Sequence, residues 1–311
     1  MTQAKIHVEI VTPVHNRRET TLQCLRSLSK IDKTGLEVGV IVVDDGSNDG
    51  TSDAIRKEFP EVDLIKGSGD LWFTEGTNVG IRHALTKNPK FILAMNDDQV
   101  FDPNFLVSLV QTAEKYPRSV VGSMLLLWDV PHKLFQVSPV WNTWMGGWRH
   151  WRHQTVWTVP NKPWEVDIVV GNCVLIPTSA ILECGLMDSK RYPNFGDAEY
   201  TPRLKRKGFR LLIDPRSRVF CQPNDVPARI GSIKLKEIPR ALIFDMLHIH
   251  NFRRRFYTSI GGAPSKLKGV AAFGVFLARL ALRINPESSW SEKRDEKPIS
   301  EIFADRIVGE H

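Results

Sequence analysis

Short apolar runs recur along the first two thirds of the chain, each closed by polar or turn-forming residues and followed by a stretch with helical spacing. Residues 6–12 predict a first strand, and Leu22, Leu25 and Leu28 fall on one face of a helix over 19–28. Residues 38–43 are an almost wholly apolar second strand, followed by turn and cap residues 48–51 and a helix over 52–58. A third strand is expected over 62–66, a helix over 77–85 and a buried strand over 91–95. A helix over 104–115 and a strand over 120–127 continue the series. Strands alternating with helices at this rhythm predict an α/β fold with a mostly parallel central sheet flanked by helices.

The pattern then changes. Six tryptophans (Trp141, Trp144, Trp148, Trp151, Trp157 and Trp164) crowd between residues 141 and 164, interleaved with Arg149, His150, Arg152 and His153. Strand character returns over 166–176, and a turn-rich segment over 187–196 leads to a basic helix around 203–207 that Gly208 stops. Closing strands are expected over 209–213 and 218–221. Beyond Gln222 the chain is basic with helical spacing, including Arg253-Arg254-Arg255 and an apolar stretch over 266–284 with basic residues at both ends. The expected organisation is a domain over 1–230, with halves at 1–115 and 116–230, and a basic helical extension over 231–311. The charged last twenty or so residues read as a tail outside the core.

Composition narrows this picture modestly. With 42% hydrophobic and 25% charged residues, the 311-residue chain is an ordinary globular protein, not a fibrous or disordered one. The net charge of +7 favours anionic partners, but no nucleic-acid recognition motif accompanies it, so nucleic acid is not an expected partner. Four cysteines without metal-ligand spacing fit a reduced, cytoplasmic setting. The first residues lack a signal-peptide layout, and no apolar run reaches the roughly 20 residues needed to span a bilayer. The 266–284 stretch suits an interfacial helix on an anionic membrane, a core helix or a dimer interface, so peripheral attachment to the inner face of the plasma membrane joins the expectations. The oligomeric state, with a homodimer among the options, stays open.

Candidate chemistry gathers at the strand ends. The 91–95 strand stops abruptly in Asn96-Asp97-Asp98. Adjacent carboxylates there repel each other and are costly to desolvate, which a bound cation relieves; a solvated turn is the plainer alternative. Three further clusters close strands or precede a helix: Pro13-Val14-His15-Asn16, Asp44-Asp45-Gly46-Ser47 and Gly196-Asp197-Ala198-Glu199. Together they imply one polar cleft at the carboxyl edge of the sheet.

The order T-P-V-x-N, V-V-D-D-G-S, N-x-G, N-D-D and G-D-A-E before a basic helix resembles the family 2 glycosyltransferases, over about residues 6–221. The resemblance implies the GT-A (nucleotide-diphospho-sugar transferase) fold, with a C-terminal helical extension. It implies an inverting, metal-dependent transfer of one sugar from a dTDP- or UDP-linked donor to a carbohydrate or lipid-linked saccharide acceptor, in cell-surface polysaccharide synthesis. Thr12, Pro13 and Asn16 would line the nucleotide pocket, Asp44 or Asp45 would bond the base or ribose, and Gly69, Asn78 and Gly80 would bring backbone close. Asp98 would hold Mn²⁺ or Mg²⁺, with Asp97 on ribose or donor sugar. Asp197 would be the general base, with Glu199 as its fallback.

Trp72 would line the donor pocket, and Trp144 and Trp148 an acceptor platform, alternatively an aromatic core under a loop. Arg149 and Arg152 could then meet an acceptor phosphate. Arg203 and Lys207 are read as a solvated helix face. Two departures from the family pattern stand out. Gln222 follows the last strand where relatives carry a metal-binding histidine, and the Q-x-x-R-W motif of processive synthases is missing. A nucleotidyltransferase is a second reading, disfavoured by a first loop without glycine. A non-catalytic carbohydrate-binding module is a third.

Overall fold

The computed structural model describes residues 4–151, 154–222, 235–237, 239–248 and 251–282, together with 306 and 308. The chain runs β1 (Ile6–Val14), α1 (Arg18–Leu28), β2 (Leu36–Asp44), α2 (Thr51–Glu58), β3 (Asp63–Lys66), α3 (Trp72–Leu85), β4 (Phe91–Met95), β5 (Gln99–Phe101) and α4 (Phe105–Lys115). It continues through β6 (Ser119–Leu127), β7 (Leu134–Asn142), β8 (Gly147–Trp151), β9 (Trp164–Glu165), β10 (Cys173–Pro177), α5 (Thr178–Cys184), α6 (Asp197–Arg206) and β11 (Arg210–Cys221). Helices α7 (Phe252–Gly262) and α8 (Lys266–Ala281) follow.

The main sheet has the order β3-β2-β1-β4-β10-β6-β11-β5. The first four strands are mutually parallel, as is the β6–β11 pair, while β10 and β5 run antiparallel to their neighbours. Strand alternation sends neighbouring residues to opposite layers. Ile10, Val42, Leu93 and Met95 pack on one face with Leu22, Leu25 and Leu28 of α1 and Leu109 of α4. Val11, Ile41, Val43, Ile92 and Ala94 pack on the other with Ile81 and Ala84 of α3 and Leu204 of α6. The result is a three-layer α/β architecture with β4 buried on both faces. Because β10 pairs with β4, the expected 1–115 and 116–230 halves share one continuous sheet.

Three elements differ from the sequence expectation. Helix α3 starts at Trp72 instead of residue 77, because the Asp45 carboxylate accepts the otherwise unpaired N–H groups of Leu71 and Trp72 at 2.9 and 3.0 Å. Of the 166–176 run only Cys173–Pro177 is strand; Val166, Ile168 and Val169 are buried without pairing as a continuous strand. The two closing strands are a single β11 whose register shifts between Asp214 and Arg218. The buried Asp214 holds that irregularity by accepting from Thr112 Oγ1 at 2.6 Å and from the Arg216 backbone at 2.9 Å.

Helices α7 and α8 are the long described helices of the extension, and α7 lies against α6. Arg206 donates to the carbonyls of Gly261 and Ala263 at 2.7 and 2.8 Å, closing the C-terminal end of α7. The expected charged tail lies outside the described residues except for 306 and 308.

Candidate active site

The carboxyl ends of β1, β2 and β4 bring the predicted clusters together at one edge of the sheet. On the β2 side, Asp44 and Asp45 are both buried, and both act on loops. Asp44 accepts from Ser47 N–H at 2.9 Å and from the Ser52 hydroxyl. Asp45 Oδ1 accepts from Gly69 N–H at 2.7 Å, and Oδ2 from Leu71 and Trp72. Gly46, at φ +71°, lets the loops touch: a Cβ there would lie 2.8 Å from the Gly69 Cα.

This web holds Trp72 at φ +57°, a left-handed conformation that a bulky residue rarely adopts, with its indole half exposed (49%). Gly69, at φ +98°, presents open backbone beside it. Asn16 is exposed, and its side chain accepts from Asn48 N–H at 2.8 Å, tying the first loop to the second. Pro13 packs against Gly76 of α3, and the Thr12 hydroxyl is enclosed without a hydrogen-bond partner among the described residues. Asn78 points elsewhere. Its amide exchanges hydrogen bonds with the backbone of Met187, at 2.9 and 3.1 Å, clamping α3 to the segment before α6. Gly80 is a packing position, where a Cβ would meet Val11.

At the end of β4 the two carboxylates divide. Asp97 is turned inward: Oδ1 accepts from Arg17 at 2.9 Å and Oδ2 from the Thr21 hydroxyl at 2.8 Å. Burial pushes its carboxyl above the ordinary range, against the pull of Arg17 and Thr21. Arg17 also reaches Asp98 Oδ2 at 3.2 Å, so one guanidinium spans the pair. Asp98 Oδ1 is enclosed with no hydrogen-bond partner among the described residues.

A buried, unanswered carboxylate oxygen beside a second acid is a site a hard cation would satisfy, so these residues fit Mn²⁺ or Mg²⁺. No cluster of three His, Cys, Asp or Glu with metal-binding geometry occurs among the described residues. The donor set therefore suits an ion that brings most of its oxygens with it, as water and diphosphate. Gln222 is exposed, and its backbone N–H lies 3.5 Å from the Asp98 carbonyl oxygen.

Asp197 opens α6 and is the other centre. Gly171 N–H donates to its Oδ2 at 2.9 Å, and a Cβ on Gly171 would lie 3.0 Å from the Asp197 Cβ and 3.5 Å from the Phe73 ring. The neighbouring Asn172 carbonyl accepts from Asn96 N–H at 3.0 Å and from Gln99 Nε2 at 2.7 Å. Two consecutive residues thus join the Asp197 carboxylate to the Asn96-Asp97-Asp98 turn. Burial pushes the Asp197 carboxyl above the ordinary range, while backbone N–H groups and the charge of Arg254 draw it down.

Arg254 comes from α7, its guanidinium 4.1 Å from the centre of the Phe195 ring, and donates to the Leu247 carbonyl at 2.6 Å. The sequence shows the arginine run but gives Arg254 no role. Its signal is the Asn251 cap, whose side chain accepts from Arg254 N–H at 3.1 Å and starts α7 where the guanidinium reaches Phe195.

Several predicted residues have other partners. Glu199 is paired with Arg203 at 3.0 Å and Arg206 at 3.6 Å, beneath Gly261 of α7. Arg203 is no solvated face, since it also donates to the carbonyls of Cys184 and Leu186 at 2.7 and 2.8 Å. Trp148 packs edge-on to Trp141 with ring centres 5.0 Å apart, and its indole nitrogen would meet a Cβ on Gly262 of α7. Trp144, on the turn between β7 and β8, stands 79% exposed. Arg152 and His153 lie outside the described residues, as does the Arg149 side chain.

Known proteins resemble this chain at low identity. The N-acetylglucosaminyl-diphospho-decaprenol L-rhamnosyltransferases of two Mycobacterium tuberculosis strains, CDC 1551 / Oshkosh and ATCC 25618 / H37Rv, are each 22% identical over 205 residues, 59% of this chain. The match spans 66% of their length, just under two thirds. Among solved structures, GalNAc-T7 with UDP, GalNAc and Mn²⁺ aligns over 92% of this chain and 59% of its own, with a TM-score of 0.59 and 15% identity. A Pyrobaculum calidifontis mannosyltransferase in complex with GDP-Man and Mn²⁺ covers 96% of this chain and 86% of its own, with a TM-score of 0.52 and 15% identity. S. aureus TarS 1–349 in complex with UDP-GlcNAc covers 95% and 78%, with a TM-score of 0.54 and 15% identity. These likenesses establish the GT-A fold. The sequence model of glycosyl transferase family 2 matches residues 9–175, from β1 into β10 and more than half of the chain, and the chain belongs to that family.

Proposed function

We propose that the chain is an inverting glycosyltransferase that moves a single sugar from a dTDP- or UDP-linked donor onto a hydroxyl of a lipid-linked saccharide at the cytoplasmic face of a membrane. The observation that carries this is the Gly171-Asn172 link, which sets a half-buried carboxylate, raised by desolvation, beside the turn that ends β4. Asp197 takes the acceptor hydroxyl's proton as that oxygen attacks the anomeric carbon, and the bond to the nucleoside diphosphate breaks on the opposite face. A carboxylate raised above its ordinary range is a stronger base, which favours this proton transfer. Gly171 N–H fixes one carboxylate oxygen, and Arg254 keeps the ionised form accessible.

Asp98 would hold the divalent cation, which neutralises charge on the departing diphosphate. The donor half, 1–115, offers the Gly69 backbone, the Trp72 indole and the loops organised by Asp44, Asp45 and Asn16. Thr12 and Pro13 form the floor, and Asp97 anchors Arg17 beside the diphosphate. Residues 116–230 contribute Asp197 and Trp144, whose exposed indole suits stacking on sugar C–H faces. The lipid-linked acceptor is supported by the name of the mycobacterial relatives.

The test is binding and hydrolysis across a nucleotide-sugar panel, with and without Mn²⁺, for the wild type and Asp98→Ala. Metal-dependent binding of one donor that is lost in Asp98→Ala is the expected result. No binding of any nucleotide-sugar in the presence of metal would overturn the reading.

A further inference from the structure

Helix α8 is apolar on two sides, and the fold uses only one. Its inner side packs on α7 and on the 143–145 turn. Gly269 abuts the Ser259 carbonyl and Ile260, Phe273 meets Phe256 edge-on at 5.2 Å, and Arg279 donates to the Met145 carbonyl at 3.0 Å. Its outer side carries Leu267, Val270, Ala271, Gly274, Leu277, Ala278 and Ala281, all exposed. Their spacing of three and four places them on one stripe, and none is charged. Leu267 is 81% exposed and Val270 51%. A contiguous apolar stripe of this kind marks an interaction surface.

Charge identifies the occupant. Between residues 251 and 282 there are six basic residues and no acidic one. Lys266 and Lys268 flank Leu267, and both are exposed. We infer that the outer face of α8 lies in the surface of an anionic lipid bilayer, its leucines below the headgroups and its lysines among them. No helix among the described residues is long and apolar enough to cross a membrane, so α8, of 16 residues, lies along the interface. A second copy fits less well: a two-fold interface sets the same patch against itself, bringing Lys266 and Lys268 toward like charges with no acid on α7 or α8 to answer them. The inner side of α8 cradles the turn bearing Trp144, so docking holds that turn about one helix diameter, ~10 Å, from the lipid surface. This deepens the lipid-linked-acceptor reading and rests on it for its purpose, but the binding itself is independent of turnover.

The test is sedimentation of the full chain with phosphatidylcholine vesicles, with and without phosphatidylglycerol. The chain should pellet with the anionic vesicles and be released by salt. Leu267→Gln combined with Leu277→Gln should weaken partitioning at least about tenfold. Lys266→Glu and Lys268→Glu should weaken it roughly fivefold each and flatten the salt dependence. All these variants should keep the wild-type melting temperature and nucleotide-sugar hydrolysis in solution, because none touches the site.

Equal binding to neutral and anionic vesicles would overturn the inference, as would no binding at all. So would a dimer that the leucine substitutions split in the absence of vesicle binding. Vesicle binding that survives alongside absent donor turnover would leave this inference standing and sink the transferase reading instead.

Discussion

Replacing Asp45 with alanine removes an acceptor that holds three backbone N–H groups, those of Gly69, Leu71 and Trp72. Each is a charge-assisted bond to a buried carboxylate, but the donors lie in a partly exposed loop where water can replace part of the loss, so each contributes about 1–1.5 kcal/mol. The sum is about 3–4 kcal/mol, offset by about 1 kcal/mol as Trp72 leaves its left-handed conformation. A net loss of about 2–3 kcal/mol corresponds to a fall in melting temperature of roughly 3–5 °C for a chain of this length. Asp45→Asn should behave more like Asp45→Ala than like the wild type. Oδ1 accepts one N–H and Oδ2 accepts two, so an amide must point its NH₂ at a donor whichever way it turns. Scanning calorimetry gives the stability, and isothermal titration with the donor found by the panel gives the binding, which should weaken roughly tenfold or more as the Trp72 platform is released. If Asp45→Ala melted and bound donor like the wild type, the assignment of Asp45 as the organiser of this loop would be wrong.

Asp197→Asn should lower kcat by about 10²–10⁴-fold, the usual contribution of a positioned general base. The same change should raise stability at neutral pH. A carboxyl elevated in the fold contributes stability below its unfolded pKa and loses it as pH rises through the folded value, so at neutral pH the ionised group opposes folding. Equal unfolding free energies for the two proteins at pH 7 would contradict this. Because the base must be ionised, the acid limb of kcat/KM should lie above the ordinary carboxylate range, and Arg254→Met should move it higher still; an unmoved limb would remove Arg254 from the site. Arg17→Gln should tighten Mn²⁺ binding about fivefold in the absence of nucleotide, measured by electron paramagnetic resonance, since a positive charge leaves Asp98. Unchanged or weaker affinity would show that Arg17 does not compete there. Burial raises the thiols of Cys24, Cys173 and Cys221, Cys173 to about 12, so the native protein should resist a thiol reagent at all three near pH 8. Rapid labelling of any of them would refute their burial.

The parallel half of the fold was legible because its signals are local. β4 is apolar throughout and β2 ends in the apolar run Val40–Val43, each closed by polar residues, and burial on both faces demands just that composition. What escaped depends on partners far along the chain. Helix α3 begins five residues early because Asp45, on another loop, accepts its first N–H groups. Val166, Ile168 and Val169 look like strand residues but pack as loop, since apolarity reports burial and not pairing. Arg254 was visible as part of a basic run, yet nothing in the run shows that an Asn251 cap would start a helix where its guanidinium reaches Phe195 and lends its charge to the surroundings of Asp197.

At the site, sequence identifies which residues gather and not which atoms stay free. Asp44, Asp45, Asp97 and Glu199 were all expected to touch ligand, and all have their carboxylate oxygens engaged by serine hydroxyls, backbone N–H groups, threonine or arginine. Two carboxylates differ in kind. Asp98 has an oxygen with no hydrogen-bond partner among the described residues, and Asp197 is half-buried with backbone donors and a distant guanidinium but no direct ion pair within the described residues. At both, negative charge in the cleft is incompletely answered by the described residues, which costs stability and is retained where a substrate or ion supplies the answer. The engaged acids then have a different task. By fixing the loops at residues 46–48 and 69–72, they aim backbone groups and the Trp72 indole at the cleft, so removing one should disturb donor affinity through geometry. The two unanswered acids act on the reacting atoms themselves, so their loss should appear in the metal requirement and in kcat. A survey in which Asp45 variants lost kcat at saturating donor while Asp197 variants lost only donor affinity would reverse that division.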